Sequence, residues 1–406
     1  MTDSTHTAGR RAVVLAVLAG AFGSLDTALN IAFPDITDDL DLEVSDLQWV
    51  VTCLVRSYGL ALIVAGRMGD RQGHSRTLAM GAAGAAVGLT ICSSAPSLGV
   101  LLAGRVVQGL GTAFVMASGP PLIALAAGLE ARGRAVGLFQ TSAGIGLALG
   151  PVIGGPLVDL GGWRGVFWFR IPLAALLLVL AIPLVRSMDS AEDGASIEAR
   201  ASHHIEWSPL LRSGHFVSAN LLAIVVNGAM FATWLLVPAL LIDHLGTGVL
   251  LGGVVLAASP AATAFISPRA GRLSDEGHTG RLVVGGILLT AAGMALLATT
   301  DADWPAAGVA VALAAVGLGL GLFSAPNMAT VMASLPNSEQ GLGAGLSLTT
   351  RTLGIVLGVN VSSRLFDWWE AEHSFDEAFT VVFGTMAVVL AVVGSLEMIR
   401  RVASQP

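Results

Sequence analysis

Between residues 66 and 76 the chain reads GRMGDRQGHSR. Three arginines and one aspartate sit here between two long apolar runs. A charged side chain at the bilayer centre costs about 3 kcal/mol or more, so this cluster does not belong in hydrocarbon. It reads as a loop between two membrane-crossing segments, too short to be a domain. The two helices therefore turn back tightly on each other. The glycines permit close backbone approach. Asp70 stands where it caps the following helix or pairs with an arginine. Taken alone, a polar hairpin that keeps positive charge at one membrane face explains the stretch equally well.

The rest of the chain agrees with a membrane setting. Of its 406 residues 54% are hydrophobic and 12% charged, and the mean hydropathy is +0.76. A soluble domain carries about 25% charged residues. The net charge is -7, and the 21 basic residues are all arginine. Cys53 and Cys92 both lie in apolar runs, which favours buried thiols over a disulfide. The first apolar run is long and lacks a clear small-residue cleavage site, so it reads as a retained span.

Apolar runs at residues 12–33, 47–66, 77–95, 98–120, 134–158, 166–185, 216–242, 250–268, 281–299, 306–333, 340–363 and 376–399 predict twelve spans. Each is long enough for an apolar core of about 30 Å at about 1.5 Å per residue. The expected fold class is an all-α polytopic membrane protein with twelve transmembrane helices in two six-helix bundles. The longest polar interval, 186–215, carries Asp189, Glu192, Asp193, Glu198 and Glu206. It divides an N-terminal bundle, 1–185, from a C-terminal bundle, 216–406. Fifteen arginines fall at one side of these spans and two, Arg164 and Arg364, at the other. That asymmetry makes the central loop and both termini cytoplasmic. The outer side carries Asp35, Asp38, Asp39, Asp41, Glu43, Asp46, Asp301 and Asp303. Trp49, Trp163, Trp168, Trp304, Trp368 and Trp369 are expected to mark the outer interface. A degenerate echo of the opening stretch, GRLSDEGHTGR, runs from Gly271 to Arg281, with Asp275 at the place of Asp70. Two repeated six-helix bundles suit a carrier whose site lies between the halves.

Ionisable residues inside spans are costly and so mark function or tight pairing. Asp26 lies in span 1 within SLDTALNIAFPDI, with Asn30 one helical turn further along the same face. Arg105 and Gln108 lie in span 4. Counting from the outer ends, Asp26 and Arg105 are each about 10 Å deep, so they are positioned to pair. A static ion pair or a proton-titrating carboxylate satisfies that geometry. In span 5, Gly146, Gly150 and Gly154 recur on one face, and Pro151 favours a bend. Arg351 sits near mid-membrane in span 11, and Arg56 and Arg170 lie in spans 2 and 6. Asn220, Asn227, Trp234 and Asn327 either line a cavity or join helices. His203 and His204 read as solvated loop residues. No phosphate-binding loop, metal-ligand cluster or nucleophile motif is evident, which argues against an enzyme.

The loop resembles the signature between spans 2 and 3 of the major facilitator superfamily, roughly G-x-x-x-D-R-x-G-R-R. Gly66, Asp70, Arg71 and Gly73 match; His74 and Ser75 replace the usual basic pair, and Arg76 follows one place late. Span 1 resembles the L-D-x-T-x-x-N-x-A-L-P segment of the drug:proton antiporter branch with fourteen-span members. Leu25, Asp26, Asn30, Ala32 and Pro34 follow it with slightly altered spacing, and Phe33 replaces leucine. Arg105, Gln108, Gly109 and Gly111 resemble R-x-x-Q-G-x-G of span 4. Gly146, Gly150, Pro151, Gly154 and Gly155 resemble the antiporter run G-x-x-x-G-P-x-x-G-G. Arg351 resembles the arginine of the corresponding late span, whereas Arg56 and Arg170 have no counterpart in the pattern. The chain looks like a twelve-span variant lacking the central pair.

The resemblance implies the major facilitator fold and alternating access, with Asp26 and Arg105 in proton coupling. It implies a cytoplasmic gate of Gly66, Asp70, Arg71, Gly73, Arg76 and Asp275. A substrate cavity is expected around Asn30, Arg56, Gln108, Asn227, Trp234, Asn327 and Arg351. The expected activity is proton-coupled efflux of small amphipathic molecules by a monomer in the plasma (inner) membrane. No cofactor other than the proton gradient and no nucleic acid is expected. Uptake by symport shares the fold; a sensor or scaffold would need a signalling domain that the loops are too short to hold. Four arginines within spans against one deep carboxylate predict a cavity that disfavours lipophilic cations. Arg170 is long enough to snorkel to the outer interface instead.

Overall fold

The computed structural model describes residues 2–42, 47–128, 131–189, 213–247, 249–301, 304–336 and 339–403. The side chains of Asn30 and Pro151 fall outside that description. So do Glu43, Asp46, Asp303, His203 and His204, together with most of the expected central loop. Among the described residues every regular element is helical. A helix suits a bilayer, because each backbone N–H finds its acceptor within the same segment.

Span 1 is the α-helix Thr2–Ser24 continued by a 3-10 stretch, Leu25–Ala32. A short helix, Phe33–Leu40, follows it. Spans 2 to 4 are Leu47–Gln72, His74–Ser93 and Leu98–Ala127. Span 5, Arg132–Gly161, bends by 45° at residue 151, as a proline that lacks the backbone donor favours. Span 6 is Arg170–Asp189, four residues longer than expected at its end. In the second half, span 7 is Gly214–Ala239, and span 8 joins Val249–Leu256 to Ala258–Leu273. Spans 9 to 12 are Thr279–Leu297, Ala306–Ala333, Gln340–Glu370 and Phe375–Ala403.

Ten helical stretches are long and apolar enough to cross a membrane, and bent span 5 makes an eleventh. One of the ten, Leu251–Leu297, has 47 residues. At 1.5 Å per residue it measures about 70 Å, over twice the hydrocarbon core, so it cannot be one crossing. The chain breaks within it at Gly277, where φ is 89°. Spans 8 and 9 are thus separate, and the described residues hold twelve crossings. Gly73, between spans 2 and 3, adopts the same left-handed φ of 90°. Residues with a Cβ rarely take that conformation. The two turns share that φ but differ in ψ, 137° at Gly73 and 6° at Gly277, so the degenerate repeat keeps a glycine at each turn without keeping one turn geometry.

Each half has its own apolar core. One gathers side chains from Leu15 to Leu184 with a few from spans 10 and 11; the other runs from Leu222 to Leu390. The halves meet where span 2 lies along span 11 and span 5 along span 8. In span 5, Gly146, Gly150 and Gly154 lie against Ala21, Thr27 and Ala28 of span 1, while Gly155 faces open space.

Spans 7 and 11 approach through glycine on both sides: a Cβ added at Gly358 would meet the backbone of Gly228. Backbone cannot yield as a side chain does. Gly358→Ala is therefore expected to cost about 1–3 kcal/mol, the usual range for overpacking. The check is thermal unfolding of the purified variant; an unchanged Tm would show that the two helices part freely.

One expectation about the polar ends is corrected. Trp163 is buried rather than belted at the interface. Its indole N–H donates to Asp39 Oδ2 at 3.0 Å, and Arg164 Nη1 donates to the same oxygen at 2.7 Å. The Trp163 bond first and Arg164 second hold the Asp39 carboxyl below its ordinary range. A depressed pKa means this clasp stands above the usual carboxylate range and loosens as acid titrates Asp39. Trp49, Trp168 and Trp368 are exposed, as a belt requires. Glu397 lies about two turns from the end of span 12 and is shielded from water by its neighbours. It is buried and accepts from Arg400 and Arg401 at 2.6–2.8 Å.

Candidate functional site

The 3-10 stretch of span 1 carries Asp26 into the packed interior of the first half. Arg105 Nη1 donates to Asp26 Oδ1 at 2.8 Å and Nη2 to Oδ2 at 2.9 Å, a two-pronged contact. Arg105 is 1% exposed, and its Nε donates to Val50 O at 2.9 Å. Gln108, one turn along span 4, donates from Nε2 to Asp26 Oδ1 at 2.9 Å and accepts from Arg105 Nη1 at 3.1 Å. The fourth member is Arg170. Its Nη1 donates to Asp26 Oδ1 at 2.6 Å, and its Nη2 to Phe22 O at 3.3 Å. Arg170 does not snorkel outward: it is 1% exposed and stacks 5.2 Å from the Phe22 ring. The reason is the partner, because a carboxylate with 23% of its side chain exposed offers more than a lipid headgroup at arm's length. One carboxylate between two guanidiniums leaves the cluster one positive charge in surplus.

The second constellation lies at the arginine-rich end. Asp70 neither caps the next helix nor pairs with an arginine. Its Oδ1 accepts from Gly341 N at 2.6 Å and its Oδ2 from Leu342 N at 2.7 Å. Those are the second and third residues of span 11, in the other half. Asp275 does the same in mirror fashion, accepting from Gly133 N at 2.6 Å and Arg134 N at 2.8 Å at the start of span 5. Each carboxylate satisfies orphan donors at a helix N-terminus and meets the positive end of its dipole. Gly66 sits so close to Gly341 that a Cβ on either would strike the other's backbone. His74, which replaces a basic residue of the pattern, is buried with Nε2 3.4 Å from Asp70 Oδ1. Its Nδ1 is buried without a partner among the described residues. Arg71 and Arg76 are exposed and take no partner among the described residues. Gly73 supplies the turn.

Between the halves lie two small cavities of about 40 Å³ and about 20 Å³. Gln140, Ser324 and Arg351 line both. Asn227 and Asn327 line the smaller one, with their amide nitrogens given to Ala223 O at 2.8 Å and Ala219 O at 3.0 Å. Three expected cavity residues are elsewhere. Gln108 belongs to the Asp26 cluster. Trp234 is not among the residues lining these two cavities, and its indole N–H is buried without a partner among the described residues. Arg56 lies on the face of span 2 that carries Leu60, 81% exposed, and Val64, and it stacks 5.9 Å from Trp49. These residues recur at helical spacing, so that face turns away from the packed interior.

Sequence reasoning does not assign Arg170, His74, Gln140 and Ser324 to these places. A signal exists for Arg170, since an arginine without counterpart in a family pattern must find its own partner. Gln140 and Ser324 are single polar residues in apolar helices, and only the meeting of spans 5, 10 and 11 gathers them.

Two repeated six-helix bundles that meet along spans 2, 5, 8 and 11 are the architecture of a membrane transporter. The chain belongs to the Major Facilitator Superfamily, whose family profile matches residues 14–359. It is 27% identical to the riboflavin transporter RibZ of Clostridioides difficile (strain 630), over 87% of this chain and 88% of that protein. It is 24% identical to the methylenomycin A resistance protein of Bacillus subtilis (strain 168), over 92% and 91%. Among solved structures, the human organic anion transporter MFSD10 (TETRAN) superposes with a TM-score of 0.77 at 14% identity, covering 95% of this chain and 99% of that one. Like these relatives, the chain is a multi-pass transporter of small molecules and not an enzyme.

Proposed function

We propose that the protein exports small amphipathic molecules in exchange for protons, as a monomer in the plasma membrane with both termini cytoplasmic. The observation that carries this is the Asp26 cluster: a single carboxylate holds two guanidiniums from spans 4 and 6. A proton on Asp26 removes the charge that both arginines bind, so proton uptake and rearrangement of spans 1, 4 and 6 are linked. The interlocked spans 2, 5, 8 and 11 are the surfaces on which the halves rock. Asp70 and Asp275 close the cytoplasmic end when they cap spans 11 and 5, and release opens it. The glycine-proline run of span 5 and relatives named for antibiotic resistance favour export.

Everted vesicles test this directly. In vesicles acidified inside, a transported compound is expected to discharge the pH gradient and to accumulate in the lumen. A panel that leaves the gradient intact in protein-containing vesicles would end the antiport reading. Uptake by symport is the second reading, favoured by the likeness to a protein named for transport of a metabolite, riboflavin. Accumulation direction separates the two.

A further inference from the structure

The Asp26 cluster absorbs Arg105 and Arg170, and Arg56 lies on the outer face of span 2. Arg351 is left. It lines both cavities between the halves, and among the described residues no hydrogen bond or ion pair reaches its guanidinium. Its electrostatic neighbour is the phenol of Tyr58 on span 2, a neutral group at pH 7. Among the described residues no carboxylate lines either cavity. Gln140 from span 5 and Ser324 from span 10 share both cavities with Arg351, and neither has a hydrogen bond among the described residues. Three half-buried polar side chains from three spans and both halves thus converge on the same cavities, with no partner among the described residues. Charged and polar groups within spans normally pair or face a cavity that a ligand or water enters, and these face the cavities. A helix tie would show its second residue; the described residues hold none.

We infer that Arg351, Gln140 and Ser324 form a binding site for an anionic group, a carboxylate or a phosphate, of the transported molecule. This rests on the transport proposed through the same cavity. The guanidinium fork matches two anionic oxygens, and a glutamine amide and a serine hydroxyl supply neutral donors beside it. The contribution of spans 5, 10 and 11 makes the site dependent on both halves, so it forms and dissolves as they rock. The Asp26 cluster, one positive charge in surplus, adds a field of the same sign. Cations are excluded by that field and by the lack of an acidic partner in the cavity lining.

The test uses purified full-length protein and two dyes of related ring system: anionic fluorescein and cationic rhodamine 6G. Fluorescein is expected to raise the Tm of the wild-type protein and rhodamine 6G to leave it unchanged. Arg351→Met is expected to weaken fluorescein binding about tenfold or more, with Arg351→Lys between, since lysine keeps the charge and loses the fork. Ligand-free Arg351→Met is expected to have an equal or higher Tm, because it removes an unpaired charge; a structural tie would lower it. Stabilisation by rhodamine 6G alone, by neither dye, or equally by fluorescein in wild type and Arg351→Met overturns the inference. The vesicle assay keeps the parent proposal separate. Fluorescein binding without discharge of the proton gradient strikes antiport and leaves the anion site standing. Discharge by rhodamine 6G without fluorescein binding does the reverse.

Discussion

Asp26→Asn is expected to end proton-driven accumulation of substrate while the protein remains in the membrane. The substitution keeps the side chain's volume and removes its charge. Arg105 and Arg170 then face each other across an amide, with no carboxylate within reach. Removing one partner of a buried ion pair costs about 3–5 kcal/mol, and the partial exposure of Asp26 places this case near the lower figure, about 3 kcal/mol. A loss of transport alone would therefore confuse coupling with instability. Adding Arg170→Met separates them. The double variant retains one guanidinium beside a neutral amide and is expected to recover much of the lost Tm. It cannot recover coupling, because no titratable carboxylate returns. Vesicle accumulation at the wild-type rate by Asp26→Asn would remove the residue from the proton path.

The second large effect is expected at the arginine-rich end. Asp70→Ala and Asp275→Ala each strip two backbone donors of their acceptor. Loss of a helix N-cap costs about 1 kcal/mol, and an ionised carboxylate at a helix N-terminus contributes up to about 2 kcal/mol. The two caps share no residue, so their costs should add. Together they are expected to shift the open-to-closed ratio by roughly a hundredfold, with about tenfold for either alone. Substrate binding should survive, since neither residue lines the cavities. Cysteines placed at the two ends of the cavity report the shift: labelling rises at the arginine-rich end and falls at the other. Unchanged labelling at both ends in the double variant would reduce the paired aspartates to ordinary loop residues.

Much of this architecture is legible in the sequence, for a physical reason. Hydrocarbon thickness converts residue counts into depth, so spans emerge from apolar runs, and counting alone sets Asp26 and Arg105 at one level. Depth along one axis says nothing about azimuth. Arg56 and Arg351 are both arginines well inside spans, and only the packing of span 2 turns one outward and that of span 11 turns the other inward. Arg170 shows a different gap. It is the first residue of span 6, and a flexible arginine at a span end reaches water or the interior with equal ease. The turn Gly165–Trp168 and the nearby 3-10 stretch of span 1 decide for the interior. The partners of Asp70 and Asp275 are hidden for a third reason. They are main-chain N–H groups, which every residue but proline carries, so no side-chain pattern marks them.

The two aspartate contacts between the halves tolerate change unevenly. In each lock one side is a particular carboxylate and the other is generic peptide. Leu342 and Arg134 can drift to almost any identity without touching the bond, provided proline stays away. The carboxylates cannot drift at all, and the glycines beside them can drift little. Inheritance therefore bears on the carboxylates and on the glycines that face them, Gly133 and Gly341 included, and leaves Arg134 and Leu342 free to vary. A lineage that changes its cargo can rebuild the lining of spans 5 and 11 beyond that first turn and keep both contacts.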